Sequence, residues 1–336
     1  MVDADKYNFQ CEHYDEASQM TREFLLTLYV KPPPSPSELS LCDVQAKRVF
    51  LKKGVYDQDG PIRLEDLYVN GTVVICARKF KVISHVDDAT RKHFAKNGSL
   101  CQVDIDESAF SSAGIVIDAA FGSGLGVKRI RTVATGKSTS LTMEFVGAHA
   151  MEAMDGVVKT TGLGGSVQVL PSACSTDQIF QGQQNTAKYD GSILIIRPHA
   201  VREGYTGTIF QTLVQEGFQI SAVQSYSLTR SQVENFYEVY KTVLPSAHYA
   251  AMVAELASGV CIVLEVRGSD DVVGRLRELC GPFDVEIARH LRPGTLRAQL
   301  GRDNVHNAVH CTDLPEDGVL ESQYFFSILP QAGVCH

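Results

Sequence analysis

Hydrophobic positions along this 336-residue chain follow three different rhythms. In residues 1–95, short apolar and β-branched runs alternate with turn residues. Phe24–Val30, Arg48–Leu51, Val73–Ala77 and Phe80–Ile83 read as strands, because such runs fit a pleated, half-buried surface. Pro32–Pro36 stops the first run, since proline cannot donate to a ladder. Asp57–Gly60 and Asn70–Gly71 supply turn residues between the later ones. A small antiparallel β domain is expected over 1–95.

Residues 96–186 are rich in Gly, Ala, Ser and Thr, and their periodicity is weak. Ser138–Val146 predicts a strand and Ala148–Val158 a short helix. Residues 187–336 alternate cleanly. Ser192–Ile196 and Val260–Val266 are continuous apolar runs of buried-strand length. Ile209, Phe210, Leu213 and Val214 sit at helical spacing before Gly217, and Phe218–Val223 returns as strand. Val233, Phe236, Tyr237 and Tyr240 share a helical face; Val272, Val273, Leu276 and Leu279 form another, ending at Gly281. This order predicts an α+β, ferredoxin-like sheet with helices on one face.

Composition narrows the picture. Hydrophobic residues at 44% and charged residues at 21% indicate globular protein. A net charge of −8 leaves no basic excess to neutralise a nucleic-acid backbone, so no nucleic-acid partner is expected. The charged start, Met1–Lys6, does not read as a signal peptide, and no run approaches the ~18 apolar residues of a spanning helix. Nine cysteines without a pairing rhythm read as free thiols in a reducing compartment. Gly122–Gly126 lacks GxGxxG spacing, and Gly136-Lys137-Ser138 lacks the first glycine of a phosphate loop. Both read as plain turns.

The third stretch carries, in order, Ile195–His199 at the end of a strand run, Ser258-Gly259 before a strand, Arg277 before Cys280-Gly281-Pro282, Arg292–Arg297, Asn307–Asp313 and Glu321. In order and spacing these resemble the motifs of nucleoside diphosphate kinases. Ile195–His199 resembles the family's opening Lys-Pro-Asp strand motif, and Asn307–Asp313 its Asn-x-x-His-Gly-Ser-Asp signature, with Glu321 where a histidine-orienting glutamate belongs. Residues 1–95, through Arg48–Lys53 and Leu64–Tyr68, resemble the doublet-microtubule module of the ciliary nucleoside diphosphate kinase 7 family, whose members carry two kinase-like domains. Residues 96–186 resemble a shrunken first copy, through Ser111–Gly114, Ile130–Val133 and Leu141–Phe145. The resemblance therefore implies a β module over 1–95, a reduced ferredoxin-like kinase-type domain over 96–186 and a fuller one over 187–336.

It also implies a chemistry. His310 would accept the phosphate and Glu321 would orient its ring. Arg277 and Arg297 would fork onto phosphate oxygens, Asn307 would bond the sugar, Tyr237 would sit beside the transferred group, and Thr312 matches the signature serine. Magnesium would be held mainly by the nucleotide. Several positions depart from the pattern: Arg197 replaces lysine, His199 aspartate, His248 the base-stacking aromatic, Phe283 a phosphate-contacting threonine and Cys311 glycine. In the first copy Asp106-Glu107-Ser108 stands at the lysine motif and Cys174 at the histidine, so chemistry is not expected there. The resemblance implies nucleoside di- and triphosphates, tubulin and other doublet proteins as partners. It implies a ciliary axoneme, on the doublet lumen side, as the location.

Overall fold

The computed structural model describes residues 5–15, 20–32, 35–56, 62–67, 72–135, 138–171, 179–180, 185–268 and 271–331. Two compact units result: residues 1–99 with 147–149, and residues 100–146 with 150–336.

The first unit is a six-stranded antiparallel sheet in the order β4-β3-β2-β1-β6-β5. Its strands are β1 (Asp5–Asp15), β2 (Met20–Val30), β3 (Glu38–Asp43), β4 (Arg48–Gly54), β5 (Thr72–Ile75) and β6 (Arg78–His85). Phe9, Cys11, Phe24, Leu26, Leu28, Leu41, Phe80 and Val82 build its core. The expected run Val73–Ala77 ends early, at Ile75. Cys76 and Ala77 take φ of 50° and 59° and form the tight β5–β6 turn, whose two left-handed residues match the strand twist. Helix α1 (Asp88–Asn97) follows β6. Its Thr90 hydroxyl accepts the Asn8 amide of β1 at 2.9 Å. The expected turns at Asp57–Gly60 and Asn70–Gly71 lie outside the described residues.

The second unit is one eight-stranded sheet in the order β10-β7-β9-β8-β12-β13-β11-β14. Its first half comprises β7 (Gly98–Asp106), α2 (Ala113–Gly122), β8 (Gly126–Thr135), β9 (Ser138–Ala148), α3 (Ala150–Thr161) and β10 (Val167–Pro171). Its second half comprises β11 (Ser192–Ile196), α4 (Pro198–Arg202), α5 (Thr206–Gln215), β12 (Gln219–Ser227), α6 (Arg230–Phe236), α7 (Ser246–Leu256), β13 (Val260–Arg267), α8 (Val272–Cys280), α9 (Val285–Leu291), α10 (Leu296–Leu300), β14 (Val309–Cys311) and α11 (Asp317–Gln323). Numbered within each half, the strands run 4-1-3-2 and then 2-3-1-4, so the halves meet edge to edge in mirrored ferredoxin-like order. Gly217 and Gly281 stop their helices at φ of 78° and 82°. Among the described residues no helix is long and apolar enough to cross a membrane.

Helices cover both faces of the second half, not one. All five residues of β11 are buried, and a strand without an exposed face needs cover on each side. Leu194 and Ile196 join one apolar cluster with Leu213 and Leu276; Ile193 and Ile195 join another with Val253 and Phe325. The second cover comes from α6 and α7, inserted between β12 and β13. In the first half β8 runs straight into β9, so no such insert exists there. The Cys174 stretch lies outside the described residues.

Between the halves, Gln224 of β12 pairs with Arg131 of β8. Side chains extend the seam: the Val223 amide donates to the Thr132 hydroxyl at 3.0 Å, and the Ile130 amide to the Ser225 hydroxyl at 3.1 Å. Helices α2 and α5 cross at Gly114 and Gly207, where a Cβ on Gly114 would lie 2.5 Å from the Gly207 carbonyl oxygen and 2.9 Å from the Gln211 amide. Backbone cannot yield as a flexible side chain can. Gly114→Ala is expected to cost about 1–3 kcal/mol, the usual range for overpacking, read as a lower urea midpoint with an unchanged m-value.

Candidate active site

The site grows from β11 and β14. These strands pair antiparallel, with Leu194 opposite Cys311, Ile195 opposite His310 and Ile196 opposite Val309. Side chains alternate along a strand. Val309 and Cys311 therefore enter the cluster containing Leu276 and Cys280, while His310 faces the α6 side. There the Phe236 ring meets it edge-on at 5.1 Å, and the Tyr237 ring lies 6.0 Å away.

The His310 ring is fixed by a short chain of hydrogen bonds. Its Nε2 lies 3.4 Å from Glu321 Oε1. The other carboxylate oxygen accepts from the Thr312 hydroxyl at 2.7 Å, and that hydroxyl accepts the Ile193 amide at 2.9 Å. A carboxylate can only accept, so it places the ring proton on Nε2 and leaves the Nδ1 lone pair available. The helix carrying Glu321 is anchored by the next residue. Ser322 donates to Glu265 at 2.6 Å, and this fully buried carboxylate also accepts from Ser221 and from the Lys188 and Tyr189 amides.

The remaining expected residues gather along 305–313 and its neighbours. Arg277 donates to the Asp313 carbonyl at 2.8 Å and is half exposed. Arg297 is buried; its Nη1 bonds the Gly281 carbonyl at 2.7 Å, its Nε the Val309 carbonyl at 3.2 Å, and its Nη2 approaches Cys311 Sγ at 3.7 Å. Asn307 is fully buried and donates to the Phe283 carbonyl at 3.3 Å. The Phe283 ring is partly exposed and meets His248 edge-on at 5.7 Å. Arg197 contacts Glu255 at 3.4 Å and the Val305 carbonyl at 3.0 Å. His199 bonds the other Glu255 oxygen at 2.7 Å.

Electrostatics follows from this packing. Burial works against the Arg197 charge, but Tyr237 and Glu255 together hold its pKa above the ordinary guanidinium value. Burial pushes the Tyr237 hydroxyl up to about 12, so it remains a donor at neutral pH. A hydrogen bond from the Cys280 thiol holds Cys311 below the usual thiol range against burial, helped by Arg297 and His310.

Among the described residues, the buried side-chain polar atoms without a hydrogen-bond partner include one on each of four expected site residues: Arg197 Nε, Tyr237 Oη, His248 Nε2 and Asn307 Oδ1. Buried polar groups are normally paired, so each of these four atoms keeps hydrogen-bonding capacity that the fold does not use.

Three participants were not assigned from the sequence. Glu255 interrupts the apolar face of α7 formed by Tyr249, Met252, Val253 and Leu256; a lone carboxylate there was a readable signal. Asp313 stood inside the signature without a role. Tyr240 falls on the apolar face that the spacing predicts, yet its hydroxyl donates to the Asp313 carboxylate. Burial, and then Asp313, raise the Tyr240 pKa.

Thr312→Val would strip both the Ile193 amide and Glu321 of a partner. The expected loss is about 1–3 kcal/mol, the penalty for a buried group left unsatisfied, measured by equilibrium urea unfolding.

Comparison with known proteins adds to this geometry. A sequence model described as nucleoside diphosphate kinase matches residues 190–329. Nucleoside diphosphate kinase homolog 7 of Rattus norvegicus is 32% identical over 382 residues, covering 97% of this chain and 94% of the relative, and the Mus musculus protein is similar to the same degree. The nucleoside diphosphate kinase of Aquifex aeolicus is 34% identical over 40% of this chain and 93% of its own. An orthorhombic crystal structure of the Aquifex aeolicus enzyme aligns with a TM-score of 0.39 at 34% identity, over 41% of this chain and 96% of that one.

Proposed function

The chain belongs to the nucleoside diphosphate kinase homolog 7 family, and from that premise we propose that it moves the terminal phosphate of a nucleoside triphosphate onto a nucleoside diphosphate through phosphorylated His310. The observation that carries this reading is the His310–Glu321–Thr312 chain. Glu321 keeps the proton on Nε2, so Nδ1 is the nucleophile. Nδ1 would attack the terminal phosphorus as its bond to the bridging oxygen breaks, and the nucleoside diphosphate would depart. A second diphosphate would then take the phosphoryl group by the reverse path.

The unpartnered atoms support the same reading. Arg197 Nε and Tyr237 Oη offer donors to phosphate oxygens, and Asn307 Oδ1 an acceptor for a sugar hydroxyl. His248 and Phe283, packed edge to face, offer aromatic surface to a base. Among the described residues no group of three or more His, Cys, Asp or Glu side chains could hold a metal ion. Magnesium in this reaction would be held mainly by the nucleotide phosphates, whose charge it would screen.

Incubation with γ-labelled ATP and magnesium is expected to give acid-labile, base-stable label on the wild-type chain and none on His310→Ala. Glu321→Gln is expected to slow uptake ~10²-fold, on the scale of losing a positioned proton-holding group. Equal labelling of wild type and His310→Ala would sink the reading.

A second reading concerns place. We propose that the chain is a component of the ciliary axoneme, on the lumen side of the doublet microtubule, with tubulin and other doublet proteins as partners. It is supported by the likeness of Arg48–Lys53 and Leu64–Tyr68 to a doublet-microtubule module. A six-stranded unit with its own apolar core, separate from the residues around His310, gives such a module a structural basis. A fluorescently tagged chain should remain on axonemes through a high-salt wash. A purely diffuse cytosolic signal in ciliated cells would overturn this reading.

A further inference from the structure

Resting on the phosphohistidine reading, we propose that His199, held by Glu255, is a positioning residue that sets the place of His310 through the backbone of Ala308. His199 is fully buried in α4. Its Nδ1 lies 2.7 Å from Glu255 Oε1, so that nitrogen carries the ring proton. Its Nε2 lies 3.2 Å from the Ala308 amide, which can only donate, so Nε2 carries a lone pair. Both ring nitrogens are thereby assigned: His199 is a neutral imidazole bridging a carboxylate and a main-chain N–H.

The amide it grips is at an unusual point. Ala308 has φ of +67°, a conformation that L-residues adopt only when their surroundings impose it. The restraint comes from 197–199 on both sides of the residue. The Ala308 carbonyl accepts the Arg197 amide at 3.0 Å, while its own amide goes to His199. Val309 starts β14 immediately afterwards, and that strand has only three ladder pairs with β11. His310 is the middle one. Thr312 on Ile193 and Arg297 on the Val309 carbonyl hold the far side of this short strand, whereas its entry is held at Ala308 by residues 197–199. Glu255 completes the device, because one carboxylate holds the His199 ring and Arg197 Nη1 together.

Two isosteric changes separate the two ring nitrogens. His199→Gln keeps an acceptor near the Nε2 position, whereas His199→Asn keeps only a group near Nδ1. In single-turnover labelling, His199→Asn is expected to lower the maximal rate roughly 10- to 100-fold, as for a small misplacement of a reacting group, with the ATP concentration for half-maximal rate unchanged and His199→Gln within ~3-fold of wild type. Ala308→Gly relieves the left-handed strain, so adding it should restore part of the loss in His199→Asn. Amide hydrogen exchange gives an activity-independent readout: Ala308 should be protected in wild type and His199→Gln and fast in His199→Asn. Equal rates in the Asn and Gln variants would overturn the proposal, as would a loss confined to nucleotide affinity or unchanged Ala308 exchange. A wild type that takes no label would instead sink the phosphohistidine reading, while Ala308 exchange would still decide whether His199 holds this backbone.

Discussion

The second unit depends on the register of one five-residue strand. β11 pairs with β13 on one side and β14 on the other, and it is buried throughout. Side chains on a strand alternate, so a one-residue slip exchanges the faces. A slip of β14 against β11 would aim Cys311 at Glu321 and turn His310 toward Cys280. Which residue faces Glu321 is thus a consequence of ladder register before it is one of chemistry. The residues that continue β11, Arg197 to His199, are also those that grip Ala308. One strand and its continuation therefore set which residue faces Glu321, the backbone of Ala308 and the place of the buried Arg197.

The first half gives that strand system a closed edge. Left open, β12 would present unpaired amides and carbonyls, a template for wrong pairing. β8 covers it with the Gln224–Arg131 ladder pair, and the Thr132 and Ser225 hydroxyls accept backbone amides across the seam. The composition of 96–186 then has a physical sense. Helix α2 buries Ala113, Gly114, Val116, Ile117 and Ala120 on a broad face, and Gly114 admits α5 to backbone distance. Small residues serve close approach here, so weak hydrophobic periodicity is what such a helix should show.

Legibility in the sequence followed the same division. β11 and β13 were readable from their apolar runs, and the helix stops at Gly217 and Gly281 from residue type alone, because their left-handed φ suits glycine. β1, which is not among the strands expected from the sequence, carries its signal only as a period of two, Tyr7, Phe9 and Cys11 alternating with Asn8 and Gln10. The pairing of His310 with Glu321 came through family resemblance; nothing in spacing alone singles out those two. Glu255 stands out as a lone carboxylate on an apolar helix face, but the sequence names no partner for it or for Glu265. Their contacts lie 44 to 77 residues away in the chain, and only tertiary packing brings a lone carboxylate to such donors.

The three arginines expected at the site are not equivalent once their surroundings are known. Arg297 is buried with its fork on two carbonyls and a sulfur, so turning it outward would leave those groups unsatisfied. Arg197 is held by a buried carboxylate, and a charge-assisted bond is roughly twice as strong as a neutral one. In the proposed reaction it would therefore serve phosphate through Nε while staying on Glu255. Arg277 is half exposed, and its close contact is a neutral carbonyl. Of the three it gives up least by reaching for a phosphate. In the proposed reaction Arg297 would then act as a brace behind β14, Arg197 as a fixed charge and Arg277 as the mobile clamp, a division that follows from what each guanidinium would have to abandon.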